Sequence, residues 1–305
     1  MTMEKTFIKN LVNARDIICD ERGYANSYID NIFQNKMDEK HQKMFCRGEG
    51  KELFPKEGEK EKAACVYSSS MLAYNFFSWI DKNHPFCYAN EKYDKVFFEE
   101  QFRVLKNRNN KANLDVVLVS DDSHTIMLLE SKFSEHFKTD KVDIKDAYFE
   151  SNSYFCNGEN WVSVFEDLRN LMANNKNVYY EGLKQVACHL IGISSAILDD
   201  KARQWFNDNS WMHRLENIEL KKEYNTRFIF KSIVFHPKTK EEGAASQDYE
   251  ELNKEFVGRI NFLPENLILS NPIITYRHIW ENGMRDSIRD SKLRAFLERY
   301  LVVHG

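Results

Sequence analysis

Apolar side chains recur at helical spacing near the start of the chain, first as Phe7, Ile8, Leu11 and Val12, then as Tyr28, Ile29, Ile32 and Phe33. This periodicity predicts two helices within residues 3–47. Residues 48–62 (GEGKELFPKEGEKEK) interrupt it with charge, Gly and Pro, the composition of an exposed loop or linker. Residues 66–83 (VYSSSMLAYNFFSWIDKN) predict a helix whose serines can cap its start, with Asn75 and Trp79 on one side.

The period then shortens. In 95–105 (KVFFEEQFRVL) a period of two is expected to point Val96, Phe98, Phe102 and Val104 one way. Residues 113–119 (NLDVVLV) and 125–133 (TIMLLESKF) are short β-branched and apolar runs. Ser120, Asp121, Asp122, Ser123 and His124 suit a hairpin turn between them. Helical spacing returns in 159–173 and 178–198. In the latter, Leu183, Val186, Ala187, Leu190 and Ile191 form an apolar face, leaving Lys184, Gln185, Cys188 and His189 on the other. A further strand is predicted at 226–235, a helix at 248–262, an edge strand around Pro272 in 266–275, and a last amphipathic helix at 287–303. This order predicts an α/β domain around a central mixed sheet flanked by helices.

Composition sharpens the picture only slightly. The 305 residues are 42% hydrophobic and 30% charged, with 11 Gly and 5 Pro, which excludes disordered and collagen-like classes. The 22 Phe and 14 Tyr can supply a large aromatic core. A formal net charge of −4 gives no global basic field, so any nucleic-acid contact would depend on a local patch. The 6 cysteines have no zinc-ribbon or C-x-x-C spacing and are expected to be reduced, buried thiols of a cytoplasmic protein. The first residues lack the pattern of a signal peptide, and no run has the apolar length of a membrane helix. Phosphate-loop, nucleophile-elbow and H-E-x-x-H motifs are missing; no organic cofactor is expected and, without a long apolar run, no membrane.

The candidate chemistry lies in Asp115 and in Glu130-Ser131-Lys132. Glu130 and Lys132 lie two apart on one strand and leave the same face. A short hairpin would bring Asp115 alongside, since paired strands lie about 4.8 Å apart. An acid two residues before a lysine occurs seven times in the chain, at 38–40, 49–51, 130–132, 143–145, 199–201, 219–221 and 290–292. Only the match at 130–132 ends an apolar run that follows another strand bearing Asp. Buried carboxylates need a compensating cation, which leaves a hydrolytic metal site or a salt bridge at the sheet rim.

Asp115 with Glu130-Ser131-Lys132 resembles the core of the restriction-endonuclease-like PD-(D/E)xK nucleases. The segments VYSSSMLAYNFFSWI (66–80), FFEEQFRVL (97–105), ANLDVVLV (112–119), LLESKFSE (128–135) and YYEGLKQVACHLIGI (179–193) resemble a bacterial restriction-endonuclease group. The likeness spans residues 66–195, and Leu114 stands where the motif's nominal proline would be. It divides the chain into an N-terminal helical extension, 1–60, and a nuclease-like domain, 61–305.

The resemblance implies a DNA endonuclease dependent on Mg²⁺ or Mn²⁺. Asp115, Glu130 and the carbonyl of Ser131 would be metal ligands, with Lys132 positioning or deprotonating water or stabilising charge on the phosphate. An upstream acid would complete the site. The resemblance favours Glu99, whereas strand alternation places Glu100 with Phe98 and Phe102. It also implies DNA contacts from Lys184 and Gln185, for which a solvated helix face is the alternative. His189 reads as a satisfied histidine, and Trp205 and Trp211 as core residues. Lys138, Lys141 and Lys145 could meet phosphates or line a solvated loop. Cutting both strands with one centre per chain would call for a homodimer.

Overall fold

The three β-patterned runs form one antiparallel unit at the centre of the molecule. A computed structural model describes residues 3–47, 52–55, 57–120, 124–135, 142–174, 178–216, 218–222, 225–236 and 240–303. The helices are α1 (Met3–Arg15), α2 (Glu39–Arg47), α3 (Ser69–Phe77), α4 (Gly158–Asn174), α5 (Tyr180–Leu198), α6 (Asp200–Asn209), α7 (Trp211–Glu216), α8 (Lys240–Gly258), α9 (Tyr276–Ile279), α10 (Arg285–Ser287) and α11 (Ser291–Leu301). The strands are β1 (Phe86–Tyr88), β2 (Glu91–Tyr93), β3 (Lys95–Arg103), β4 (Lys111–Ser120), β5 (Thr125–Lys132), β6 (Arg227–Val234), β7 (Leu267–Ile268) and β8 (Ile273–Thr275).

β3, β4 and β5 pair antiparallel; β6 joins β5 in parallel, and β7 and β8 join β6 in parallel. The result is a mixed six-stranded sheet, and β1 and β2 form a separate hairpin. The parallel step from β5 to β6 is made by the long crossover carrying α4 to α7. Pro272 breaks the last segment into two short edge pieces, as its missing N–H predicts, while its carbonyl accepts from Ser232 N–H. Successive β5 side chains show that helices lie on both faces. Ser131 donates to the Ser69 carbonyl of α3, whereas Glu130 meets His189 of α5.

One hydrophobic core runs from Phe7 to Val303. Phe7 of α1 meets Phe133 edge-on, with centroids 5.6 Å apart, and Phe235 at 5.8 Å, so the first helix supports the end of β5 directly. Asn75 of α3 donates to Asn31 O and Tyr300 Oη, joining the N-terminal segment, α3 and α11. No helix among the described residues is long and apolar enough to cross a membrane.

Several local expectations are corrected. Tyr28–Asn31 and Phe33–Asn35 are 3₁₀ turns rather than one helix. The buried Asn31 amide donates to the carbonyls of Ala63 and Cys65, and Gln34 and Asn35 take left-handed φ values of 56° and 52°, which stops helical propagation. The second N-terminal α-helix comes later, at α2. Among the six free cysteines only Cys65 is fully buried, and Cys46 and Cys87 are exposed. Trp211 packs half-buried against the core and Trp205 is half-buried. Residues 48–51, 121–123 and 136–141, which include part of the expected linker, most of the hairpin turn, Lys138 and Lys141, lie outside the described residues.

α5 presses closely on β3. A Cβ on Gly192 would lie 2.6 Å from Phe102 Cβ. Gly192→Ala should therefore lower the unfolding free energy by about 1–3 kcal/mol through overpacking, despite the better helix propensity of Ala. Urea denaturation reads this directly; a variant as stable as the parent would show that the contact relaxes freely.

Candidate functional site

Glu99, Asp115 and Glu130 fall in one row across β3, β4 and β5. The ladder pairs Phe98 with Val116 and Glu100 with Leu114, which leaves Glu99 opposite Asp115 at an unpaired step. The last β4–β5 pair is Val116 with Leu129, so Asp115 and Glu130 come next in register, where pairing has lapsed. There the Asp115 carboxylate replaces the ladder: its Oδ2 accepts from Ser131 N–H at 2.7 Å, and its Oδ1 lies 3.4 Å from Ser70 Oγ. Ser70 belongs to α3, whose start is capped by Ser68.

The row is nearly dry. Glu99 is 5% exposed, Glu130 and Lys132 4%, and Ser131 0%, while Asp115 is half-buried. Lys132 Nζ is 2.5 Å from Glu130 Oε1. His189 Nε2 of α5 is 2.9 Å from Glu130 Oε2, but without hydrogen-bond alignment, so that this oxygen and both ring nitrogens have no aligned partner among the described residues. Ser131 Oγ is engaged by Ser69 O and by Tyr276 Oη at 2.7 Å, so any ligation by Ser131 falls to its carbonyl.

Electrostatics follow from this crowding. Burial pushes the Glu99 carboxyl up to about 8, helped by the charges of Glu52 and Glu130. Burial also holds Asp115 well above the usual carboxylate range, with Glu130 adding to the shift and Lys132 opposing it. For Glu130 burial acts in the same direction, but Lys132 and His189 outweigh it and hold this group at about 2. Burial alone would lower Lys132, yet the negative charge of Glu130 outweighs it and keeps the ammonium protonated well above its ordinary value.

The two upstream acids part company. Glu100 accepts from Ser210 Oγ at 2.8 Å and Trp211 N–H at 2.9 Å, and so caps α7. Phe98 packs against Tyr74 of α3, whereas Phe102 stacks on Phe206 of α6. Residues four apart on a regular strand share a face, so the alternation that grouped Glu100 with both phenylalanines is broken between them. The break coincides with Glu99, whose φ is +55°.

On α5 the expected polar face is also revised. His189 is buried against Glu130, while Lys184 is half-buried and pairs with Glu181 at 3.4 Å. Gln185 lies one turn before His189 and its buried Oε1 lacks a partner among the described residues. Sequence reasoning missed His189 as a partner of Glu130, and Ser69, Ser70 and Tyr276 as neighbours of the row. The available signal was a run of serines preceding the strands and a histidine among apolar helix positions.

The donor chemistry fits a hard divalent cation. The row carries two more negative charges than positive when its three acids are ionised beside Lys132, and Glu130 Oε2 is a buried oxygen without an aligned hydrogen bond. Among the described residues no group of three or more His, Cys, Asp or Glu side chains is placed to hold a metal ion. An ion here would rest on Asp115, Glu130, a carbonyl and water. No family model, curated protein or solved structure matches the chain.

The raised acids set a pH dependence. A carboxyl with a higher value folded than unfolded contributes stability below its unfolded value, which is lost as pH rises through the folded one. Without metal, stability should thus decline from weakly acidic pH through about 8 for Glu99 and about 7 for Glu100. Glu99→Gln should flatten the upper part of that decline in chelator, as followed by melting temperature against pH. An unaltered slope would mean that Glu99 is not the strained acid.

Proposed function

We propose that the chain is a divalent-metal-dependent endonuclease of restriction-endonuclease-like fold that hydrolyses phosphodiester bonds in DNA. The observation that carries this reading is the row of Glu99, Asp115 and Glu130 on three adjacent strands with Lys132 two residues beyond Glu130. The mixed sheet with helices on both faces supports it, as does the lapse of pairing at the acids.

In this reading Asp115, Glu130 and the Ser131 carbonyl would hold Mg²⁺ or Mn²⁺, and Glu99 would complete the negative surround. The bound cation would acidify a water and polarise the scissile phosphate. Lys132, kept charged by its surroundings, stabilises negative charge developing on the phosphate and orients the nucleophile rather than acting as a base. His189 positions Glu130 from α5. Lys184 and Gln185 lie on the same helix and are assigned to contact DNA, and two copies of the chain would serve the two strands.

A second reading has its own observation. Lys132 and Glu130 form a closed, buried ion pair at 2.5 Å. That geometry suits a binding or regulatory module that keeps the nuclease core without cutting.

Incubation with plasmid, single-stranded DNA and RNA, with Mg²⁺, Mn²⁺ or chelator in parallel, separates these readings. The endonuclease reading expects metal-dependent nicking or linearisation of DNA. It also expects a loss of at least about 1000-fold in Asp115→Asn and Glu130→Gln variants that retain parental circular dichroism. Metal-independent cleavage, or full activity in either variant, would overturn it.

A further inference from the structure

A cleft of about 590 Å³ lies between the N-terminal segment and α11, and none of the acidic row lines it. Its most unusual wall is Arg15. This guanidinium is 4% exposed and has no carboxylate partner among the described residues. Its two terminal nitrogens donate to Asn31 Oδ1 and Asn31 O, at 2.5 and 2.8 Å, and its carbon lies 4.4 Å from the Tyr300 ring centre and 5.2 Å from that of Phe296. Neutral amides and π faces support the cation without neutralising it. Nε is buried and has no hydrogen-bond partner among the described residues. A buried charge without a counter-ion is costly, and here it borders an open cavity.

The other walls say which anion would fit. Arg299 and Lys292 of α11 add positive charge. Two acids also line the cleft, the exposed Asp16 and Asp30, whose Oδ2 accepts from Ser27 N–H, so three cations outnumber two carboxylates there. Phe33 and Phe296 lie with centroids 5.3 Å apart and offer flat apolar surface. Gln34 and Asn35, both held at left-handed φ, contribute amide-bearing residues to the same wall. The cleft is far larger than a phosphate needs and falls within the roughly 300–1000 Å³ of small-molecule sites.

We propose that this cleft binds a mononucleotide, its base against Phe33 and Phe296 and its phosphate drawn by Arg15, Arg299 and Lys292. The site is separate from the acidic row and does not depend on the endonuclease reading.

Titration calorimetry of the full chain in chelator, with AMP, GMP, CMP and TMP in turn, tests it; adenosine and inorganic phosphate serve as controls. At least one nucleotide should bind with one-to-one stoichiometry, more tightly than either control. The double variant Lys292→Glu, Arg299→Glu changes only exposed side chains and should weaken that binding at least about tenfold without changing the melting temperature. Asp115→Asn should leave it intact, which separates this cleft from the acidic row. No binding by any nucleotide at millimolar concentration, phosphate binding as tightly as the nucleotides, an unaffected double variant, or loss in Asp115→Asn would each overturn the proposal.

Discussion

Carboxyl groups resist ionisation when buried, and three of them share one level of this sheet with one ammonium: Lys132 and His189 hold Glu130 ionised, while burial raises Glu99 and Asp115. Much of the local structure answers that constraint. The β4–β5 ladder stops before Asp115 and Glu130, and a side-chain oxygen replaces the backbone acceptor for Ser131 N–H. Glu99 takes a left-handed backbone conformation at the same level of β3. Lys132 is locked on Glu130, and a helix on the opposite face from α3 supplies His189. Such an arrangement is expensive for stability alone, because an apolar row would pack there without desolvating charge. A bound cation, as proposed above, would offset that cost by favouring the ionised form of the raised acids.

The surroundings hold that row from both ends of the chain. Phe7 packs on Phe133, the residue after Lys132, and Tyr300 of α11 both approaches Phe133 and accepts from Asn75 of α3. Tyr276 reaches Ser131 from the short helix following β8. The helices outside the sheet thus position the strand ends on which the acids sit. The Arg15 cleft shares this framework, since its guanidinium stacks on the same Tyr300.

Much of this was legible in the sequence. The alternating and apolar runs marked β3, β4, β5 and β6 closely, and the acid-x-lysine match was singled out by the strand context of Glu130 and Lys132. What was not legible depended on tertiary contacts. Alternation could not separate Glu99 from Glu100, because the backbone turns at Glu99 and the capping demand of α7 takes Glu100. Helical periodicity misread Tyr28 to Phe33, because the Asn31 amide bonds to distant carbonyls. His189 read as a satisfied histidine without a named partner, since the Glu130 it approaches lies on a strand far away in the chain. Local pattern fixes the element, but the partner of a buried polar group is a long-range fact.

Direct measurement of ion binding bears most closely on the central claim. Electron paramagnetic resonance of free Mn²⁺ can be followed as protein is added, for the parent and for Asp115→Asn and Glu130→Gln. Stoichiometric removal of free Mn²⁺ by the parent, strengthening as pH rises and abolished in both variants, is the predicted result. Undiminished free Mn²⁺ with the parent, or equal uptake by the variants, would contradict the account and leave the acids as a purely structural ion-pair network.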